Sequence, residues 1–243
     1  MSFRYKIQSK YSVSEVKDNE AKAAPPTPSM KKKTYYHGTP TERQAKKIWI
    51  EGIKPDLVED EGQISVPVKG RVYCTPNLGY AVIYALGADV AGDESPQWNA
   101  FLEDPDENYG YLFVIKGDQF KDIHPDEDQV GEAIHDKKFP WLTKLAEKHL
   151  ADEEESDPDG CMTGSLLKDV YQGCYTCWIK SGKLLLPHLT DSQKLQIIKK
   201  YGNIAHEGVL HPSEMWKIDR SKTRELKKDG SNFFKIATLV KKR

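Results

Sequence analysis

The stretch YYHGTP, residues 35–40, sets a histidine between a pair of tyrosines and a glycine, with a threonine and a proline directly after. The residues before it are β-prone, and TPTERQAKKIWIEG, which ends at Gly52, is typical of a helix. Thr39 can cap that helix, Pro40 suits its first turn and Gly52 suits its C-terminal stop. The sequence therefore predicts a strand that ends at His37, immediately before a helix N-terminus.

His37 is a candidate for chemistry because of its neighbours. Gly38 has no side chain, so a ligand can approach its backbone closely, and backbone N–H groups at a helix start suit an amide or anionic oxygen. A histidine beside such donors can hydrogen-bond a hydroxyl. A polar residue near a helix cap is the simpler interpretation of the same stretch.

A second strand and helix follow in GRVYCTPNLGYAVIYA, residues 70–85. The strand carries Tyr73, and the helix has an apolar face of core spacing. That face consists of Leu78, Ala81, Val82 and Ala85. Tyr80 and Tyr84 share a different face, since they are four residues apart. Tyr73 and Tyr84 could sandwich a flat ring, which contributes about 0.5–1.5 kcal/mol beyond burial, although any single tyrosine is more often core filler.

The remaining chain mixes helices and strands without strict alternation, which predicts the α+β class. YLFVIKG at 111–117 predicts a buried strand, TDSQKLQIIKKYG at 190–202 a capped helix, and NIAHEGVL and FFKIATLV late strands. EAKAAPPTPSMKKK has little to bury and predicts an arm or linker. We therefore predict an N-terminal arm at 1–33 and a single domain at 34–243.

Composition narrows the class of protein. The 243 residues contain 36 Lys and Arg against 37 Asp and Glu, so a basic domain is excluded but a local basic groove is not. The sequence lacks an apolar run of membrane length and a signal-peptide block at its start, so we expect a cytoplasmic protein with no membrane partner. Cys174 and Cys177 form CYTC, but no second pair or histidine spacing completes a metal site. We expect reduced cysteines and no metal.

Taken together, the motifs resemble the ADP-ribosyltransferase fold family. They are H-G-T at a strand end, EGI after the helix, GRVYCT on the next strand and AVIYA on the next helix. They are similar to the diphtheria-toxin-like branch with its H-Y-[E/D] pattern, which includes the poly(ADP-ribose) polymerases, and to rifampin ADP-ribosyltransferases. The resemblance covers about residues 34–121 and returns at NIAHEGVLHPSEMWKI. It implies a split antiparallel β-sandwich with flanking helices and a helical insert at about 129–200.

The resemblance implies a site for NAD, which would serve as a co-substrate. His37 would hold the 2′-hydroxyl of the nicotinamide ribose, and the backbone of Gly38 would grip the carboxamide. Thr39 would shape the same pocket, while Tyr73 and Tyr84 would stack on the nicotinamide. Nicotinamide would then leave C1 of the ribose through an oxocarbenium-like state, with His37 and Tyr73 as catalytic residues.

Such a state needs a fixed carboxylate nearby, and its identity is left open by the sequence. The rifampin branch implies an acid just after the third strand, where Asp122 is the best match. Asp126 and Glu132 are further candidates in the same segment, which also contains Glu127 and Asp128.

Two alternatives compete with an acid from this segment. The polymerase-like branch has a glutamate on its closing strand, where the alignment falls near Asn203, with Glu207 four residues on. In the other alternative the acids of the segment only cap a helix, as Asp126 with Gln129 would.

We therefore expect a mono-ADP-ribosyltransferase that modifies a macromolecule, either nucleic acid or protein, as a toxin or defence effector with an inhibitor or antitoxin protein as a further partner. Lysine clusters near aromatic residues suit phosphate contacts and base stacking. An RNA 2′-phosphotransferase also consumes NAD, but that class surrounds its histidine with arginines, whereas His37 follows Tyr35 and Tyr36. A catalytically inactive binding module of the same fold is the remaining alternative.

Overall fold

The computed structural model describes residues 23–55, 70–86, 108–153, 163–219, 221 and 237–240. Its helices are α1 (Pro28–Lys31), α2 (Glu42–Glu51), α3 (Leu78–Leu86), α4 (Glu127–His135), α5 (Pro140–Leu150), α6 (Leu166–Tyr171), α7 (Tyr175–Leu185) and α8 (Asp191–Tyr201). Its strands are β1 (Thr34–Thr39), β2 (Arg71–Cys74), β3 (Tyr109–Lys116), β4 (Ile123–Pro125), β5 (Ile204–Glu207), β6 (Glu214–Asp219) and β7 (Ala237–Val240). The predicted α+β class is confirmed.

The described strands form two antiparallel sheets, one of four strands in the order β1-β3-β6-β7 and one of three in the order β2-β5-β4. The sheets meet at their β1 and β2 edges. There the amide of Tyr36 donates to the carbonyl of Thr75 at 2.8 Å, and the amide of Thr75 donates to the carbonyl of Tyr36 at 3.0 Å. This junction brings His37 on β1 close to Tyr73 on β2.

Helix α3 packs tightly on β1 and β3, and two glycines make this possible. A Cβ at Gly38 would lie 2.5 Å from the amide nitrogen of Ala85, and one at Gly110 would lie 2.7 Å from the Ala85 carbonyl carbon. Both distances are far inside van der Waals contact. Gly38 is therefore required by the packing of a helix, a role that the sequence did not indicate.

The described residues from 127 to 201 contain helices but no strand, and they build a core of their own. Its fully buried side chains include Val130, Leu142, Leu166, Leu185 and Ile197. A second core lies between the two sheets and α2. Helix α4 connects this helical part to the sheets, since it directly follows β4. Within the helical part, α4 and α7 cross at close range.

Part of the N-terminal segment packs against the rest of the protein. Ala24 is fully buried and exchanges backbone hydrogen bonds of 2.9 and 3.0 Å with Ile123, and Met30 on α1 belongs to the core between the sheets. The expectation that EAKAAPPTPSMKKK has little to bury is wrong for these two residues. The first two thirds of the predicted arm, residues 1–22, lie outside the described residues.

The predicted helix ends are confirmed at one helix and shifted at another. Thr190 and Gln193 form a capping box at α8, and Gly202 follows its last residue. At α2 the cap is Thr41, whose hydroxyl accepts from the amide of Gln44 at 3.3 Å, whereas Thr39 is the last residue of β1. No helix within the described ranges combines the length and the apolar character needed to cross a bilayer.

Candidate active site

A cavity of about 240 Å³ opens where the two sheets meet, beneath α3, α4 and α7. Four of the five residues predicted to bind NAD line it: His37, Gly38, Tyr73 and Tyr84. The fifth, Thr39, is buried outside the lining, and its hydroxyl donates to the side-chain oxygen of Gln44. The structure therefore brings together the residues of two separate sequence motifs.

His37 is held by a single contact to β2. Its Nδ1 lies 3.0 Å from the carbonyl oxygen of Tyr73, and because a carbonyl only accepts, Nδ1 carries the hydrogen. Burial lowers the pKa of His37 below its ordinary value of 6.5, so the ring is neutral at pH 7. Its Nε2 is then a hydrogen-bond acceptor, as the binding of a ribose hydroxyl would require.

Glu127 is the most firmly held acid of the cavity. It is 3% exposed, and the Tyr73 hydroxyl donates to its Oε2 at 2.7 Å while Arg71 Nη1 donates to its Oε1 at 2.8 Å. Arg71 and Tyr73 are alternate residues of β2, so their side chains point to the same face of the sheet. Burial raises the pKa of Glu127, and the bonds from Tyr73 and Arg71 act in the opposite direction.

Asp126 and Asp128 form a second acidic pair in the same cavity. Asp126 occupies the N-cap position of α4, yet its side chain makes no capping hydrogen bond. It bonds instead to the side chains of Asp128 and Asn203, and burial with its two acidic neighbours raises the pKa of Asp126 well above the ordinary value. The buried site thus favours the protonated form of Asp126. The expected capping hydrogen bond of Asp126 is therefore absent, although the residue does occupy the N-cap position.

Two of the predicted catalytic acids do not reach the cavity. The side chain of Asp122 is exposed. Its backbone carbonyl accepts a hydrogen bond from His206 Nδ1 at 2.9 Å. Glu132 lies half-buried further along α4 and is not part of the lining. The alternative acid Glu207 is also outside, with 49% of its side chain exposed. Among the three predicted catalytic acids, only Asp126 lines the cavity.

Tyrosine side chains form much of the remaining wall. Tyr84 is 39% exposed and packs edge-on against Tyr80, with ring centroids 5.1 Å apart and hydroxyl oxygens 3.3 Å apart. Helix α7 contributes Tyr175, whose hydroxyl donates to Asp128 Oδ2 at 3.2 Å. Tyr36 and Tyr73 complete the aromatic lining.

No pattern in the sequence indicates Tyr175, because its place depends on how α4 and α7 cross. A Cβ at Gly131 would lie 2.5 Å from the carbonyl oxygen of Trp178, and one at Gly182 would lie 2.7 Å from the carbonyl carbon of Glu127. The two glycines let the helices approach backbone to backbone. This crossing fixes Glu127 at the cavity and sets the first turn of α7 over it.

The cysteines differ in part from the expectation. Cys74, which lines the cavity, and Cys174 are reduced thiols, but Cys177 is disulfide-bonded. The expectation that all four cysteines are reduced is therefore wrong for Cys177, and CYTC is not a dithiol pair.

Comparison with known proteins gave no match: no family model, no curated protein and no solved structure is similar to this chain. The function of the chain must therefore be inferred from the geometry of the cavity.

Proposed function

We propose that this chain is an NAD-consuming mono-ADP-ribosyltransferase whose active site is the cavity at the β1–β2 junction. One observation carries the proposal: His37 and Tyr73, which are 36 residues apart and lie on different sheets, converge on one cavity with the buried carboxylate of Glu127. Two antiparallel sheets that meet at the strands carrying these residues support a split β-sandwich of the ADP-ribosyltransferase type.

The nicotinamide half of NAD is the part that occupies this cavity. The cavity has a volume of about 240 Å³, which is below the roughly 300–1,000 Å³ of pockets that enclose a whole drug-sized ligand. A flat ring stacks between Tyr73 and Tyr84, and the Nε2 of neutral His37 accepts a hydrogen bond from the ribose 2′-hydroxyl. The backbone of Gly38 binds the carboxamide.

The reaction breaks the bond between C1 of the ribose and the nicotinamide nitrogen, and the bonding electron pair leaves with nicotinamide. The ribose is left with oxocarbenium character, which the Glu127 carboxylate stabilises as a fixed negative charge. The acceptor nucleophile then forms a bond to C1 and loses its proton to the carboxylate form of Asp128, which lies in the same cavity. Nicotinamide and an ADP-ribosylated acceptor are the products.

The cavity disfavours the two alternatives. Its described lining contains no arginine or lysine, so a 2′-phosphate would meet carboxylates instead of cations, contrary to the needs of an RNA 2′-phosphotransferase. A binding module that had lost its acid is disfavoured by the three consecutive carboxyl groups of Asp126, Glu127 and Asp128.

Nicotinamide release from NAD tests the proposal. The purified protein, incubated with NAD and a cell extract, is expected to release nicotinamide and to transfer label from labelled NAD to a macromolecule. His37→Ala is expected to lower the rate by roughly 10²-fold or more, as is typical when one preorganised hydrogen bond is removed. His211→Ala, which changes an exposed histidine outside the cavity, is the matched control.

The nature of the labelled product assigns the acceptor. Label that protease removes indicates a protein acceptor, and label that nuclease removes indicates a nucleic acid. No nicotinamide release from the wild type, with or without extract, would overturn the proposed function.

A further inference from the structure

Behind the cavity, Arg71 lies buried between two carboxylates. It is 6% exposed, and its two terminal nitrogens face opposite partners. Nη1 donates to Glu127 at 2.8 Å, and Nη2 lies 3.8 Å from Glu207 Oε1, which also accepts from His124 Nε2 at 2.7 Å. Arg71 does not line the cavity, and Glu127 does.

We propose that Arg71 is a positioning residue: it keeps the carboxylate of Glu127 ionised and oriented toward the cavity without touching the substrate itself. Its effect on turnover rests on the proposed function, whereas the ion pair can be measured independently of it. Arginine suits this task because its guanidinium is always charged and its planar fork can bridge two acceptors.

The surroundings of Glu127 explain why a buried cation is needed. Asp126 and Asp128 lie next to it on its own helix, and burial raises the pKa of Glu127, which disfavours its ionised form. From other elements, Tyr73 and Arg71 on β2 bond to its carboxylate, and Lys183 on α7 lies near enough to interact with it. Loss of the Arg71 charge would leave an uncompensated buried carboxylate, which takes up a proton.

The outer side of Arg71 carries a neutral histidine. Burial first, then the positive charges of Arg71 and of Lys194 on α8, lower the pKa of His124 on β4 to about 3. His124 therefore donates to Glu207 Oε1 as a neutral imidazole, on the side of Glu207 that faces Arg71. This arrangement favours a permanently charged guanidinium between two acids.

The pH profile of nicotinamide release distinguishes positioning from a merely structural role. We expect Arg71→Met to lower kcat at least ~10-fold with the KM for NAD changed less than ~3-fold, because the lost group acts on charge at the reacting carbon. The acidic limb of its profile is expected to move up by roughly 1–3 pH units, the usual effect of removing an opposite charge. Arg71→Lys restores the charge and is expected to recover part of both effects. Arg43→Met, an exposed arginine on α2, is the matched control.

A direct titration of Glu127 serves as the second measurement. The carboxyl ¹³C resonance of Glu127, assigned with Glu127→Gln, is followed against pH in the wild type and in Arg71→Lys, which retains the charge and is the variant to use if Arg71→Met does not fold. We expect the Glu127 resonance to titrate at higher pH in Arg71→Lys, because a lysine amine cannot bridge both acids as the fork does.

The two proposals fail in different ways. An active wild type in which Glu127 titrates at the same pH with and without Arg71, and in which the pH profiles superimpose, overturns the positioning role alone. An inactive wild type whose Glu127 resonance still moves on substitution of Arg71 overturns the proposed enzyme activity and leaves the ion pair standing.

Discussion

His37 donates its one ring hydrogen to the carbonyl of Tyr73, and this contact decides what the other ring nitrogen can do. A backbone carbonyl on β2 selects the tautomer of a side chain on β1. The selection depends on the pairing of Tyr36 with Thr75, which holds the two strands in register. The hydrogen-bonding capacity of the His37 ring is thus set by the hydrogen bonds of its neighbours.

Two roles are proposed for Tyr73, stacking by its ring and a hydrogen bond from its hydroxyl to Glu127. The substitution Tyr73→Phe separates them. The ring remains available for stacking, so the KM for NAD is expected to change little. The hydroxyl that bonds to Glu127 at 2.7 Å is lost, so kcat is expected to fall and the free energy of unfolding to fall by about 1–3 kcal/mol. Steady-state kinetics and urea unfolding measure the two effects.

The control for Tyr73→Phe is Tyr201→Phe. Its hydroxyl bonds to Asp136 at 3.3 Å outside the cavity, and its removal is expected to leave kcat within about twofold. An equal loss of kcat in both variants would contradict the assignment of Tyr73.

Substitutions of the acids between residues 122 and 132 are expected to affect activity according to whether the acid lines the cavity. Glu127→Gln removes the ionised carboxylate of the cavity and is expected to lower nicotinamide release by roughly 10²-fold. Asp122→Asn changes an exposed side chain outside the lining and is expected to keep the wild-type rate. Full activity of Glu127→Gln together with an inactive Asp122→Asn would favour the acid that the rifampin resemblance implies.

At the scale of elements, the crossing of α4 and α7 places the acids. A side chain at Gly182 has no room beside the backbone of Glu127. Gly182→Ala is therefore expected to push the helices apart, with a loss of about 1–3 kcal/mol in the free energy of unfolding and a lower kcat from a displaced Glu127. Gly164→Asn tests an open glycine with φ of +70°, a conformation that asparagine tolerates, and is expected to cost about 1 kcal/mol or less. Equal losses in urea unfolding would contradict the close-crossing account.

The elements were largely predictable, and the contacts between them were not. Periodicity and turn residues indicated β3 and α8, because burial and capping leave local patterns in a sequence. The acid of the cavity could not be chosen in this way. Five acids lie between residues 122 and 132, and which of them faces His37 depends on Gly131 and Gly182, whose partners are some fifty residues away along the chain. Tyr175 was missed for the same reason.

At the scale of the whole molecule, buried titratable groups oppose one another as the pH changes. Burial lowers the pKa values of His37, His124 and His206 below 6.5. Unfolding lets these rings take up protons below pH 6.5, so their contribution to stability falls as the pH falls. The carboxyl groups of Asp126, Glu127 and Asp128 have raised pKa values and act in the opposite direction. The wild type therefore combines two opposite pH dependences, and a single substitution is needed to isolate either one.

Asp126→Asn isolates the acidic contribution. Because the pKa of Asp126 is raised in the folded state above its ordinary 3.8, the folded protein binds a proton that the unfolded chain releases, and the stability from this group is lost as the pH rises toward the folded pKa. An asparagine amide can still donate to Asp128 but cannot lose a proton. The variant is therefore expected to gain free energy of unfolding relative to the wild type as the pH rises above about 4, by up to about 1.4 kcal/mol per pH unit. Urea unfolding across this range measures the difference, in which the histidine contributions cancel because both proteins share them.

Asp122→Asn, exposed and outside the cavity, is expected to give a flat difference. A flat difference for Asp126→Asn as well would contradict a raised pKa of Asp126 in the folded protein.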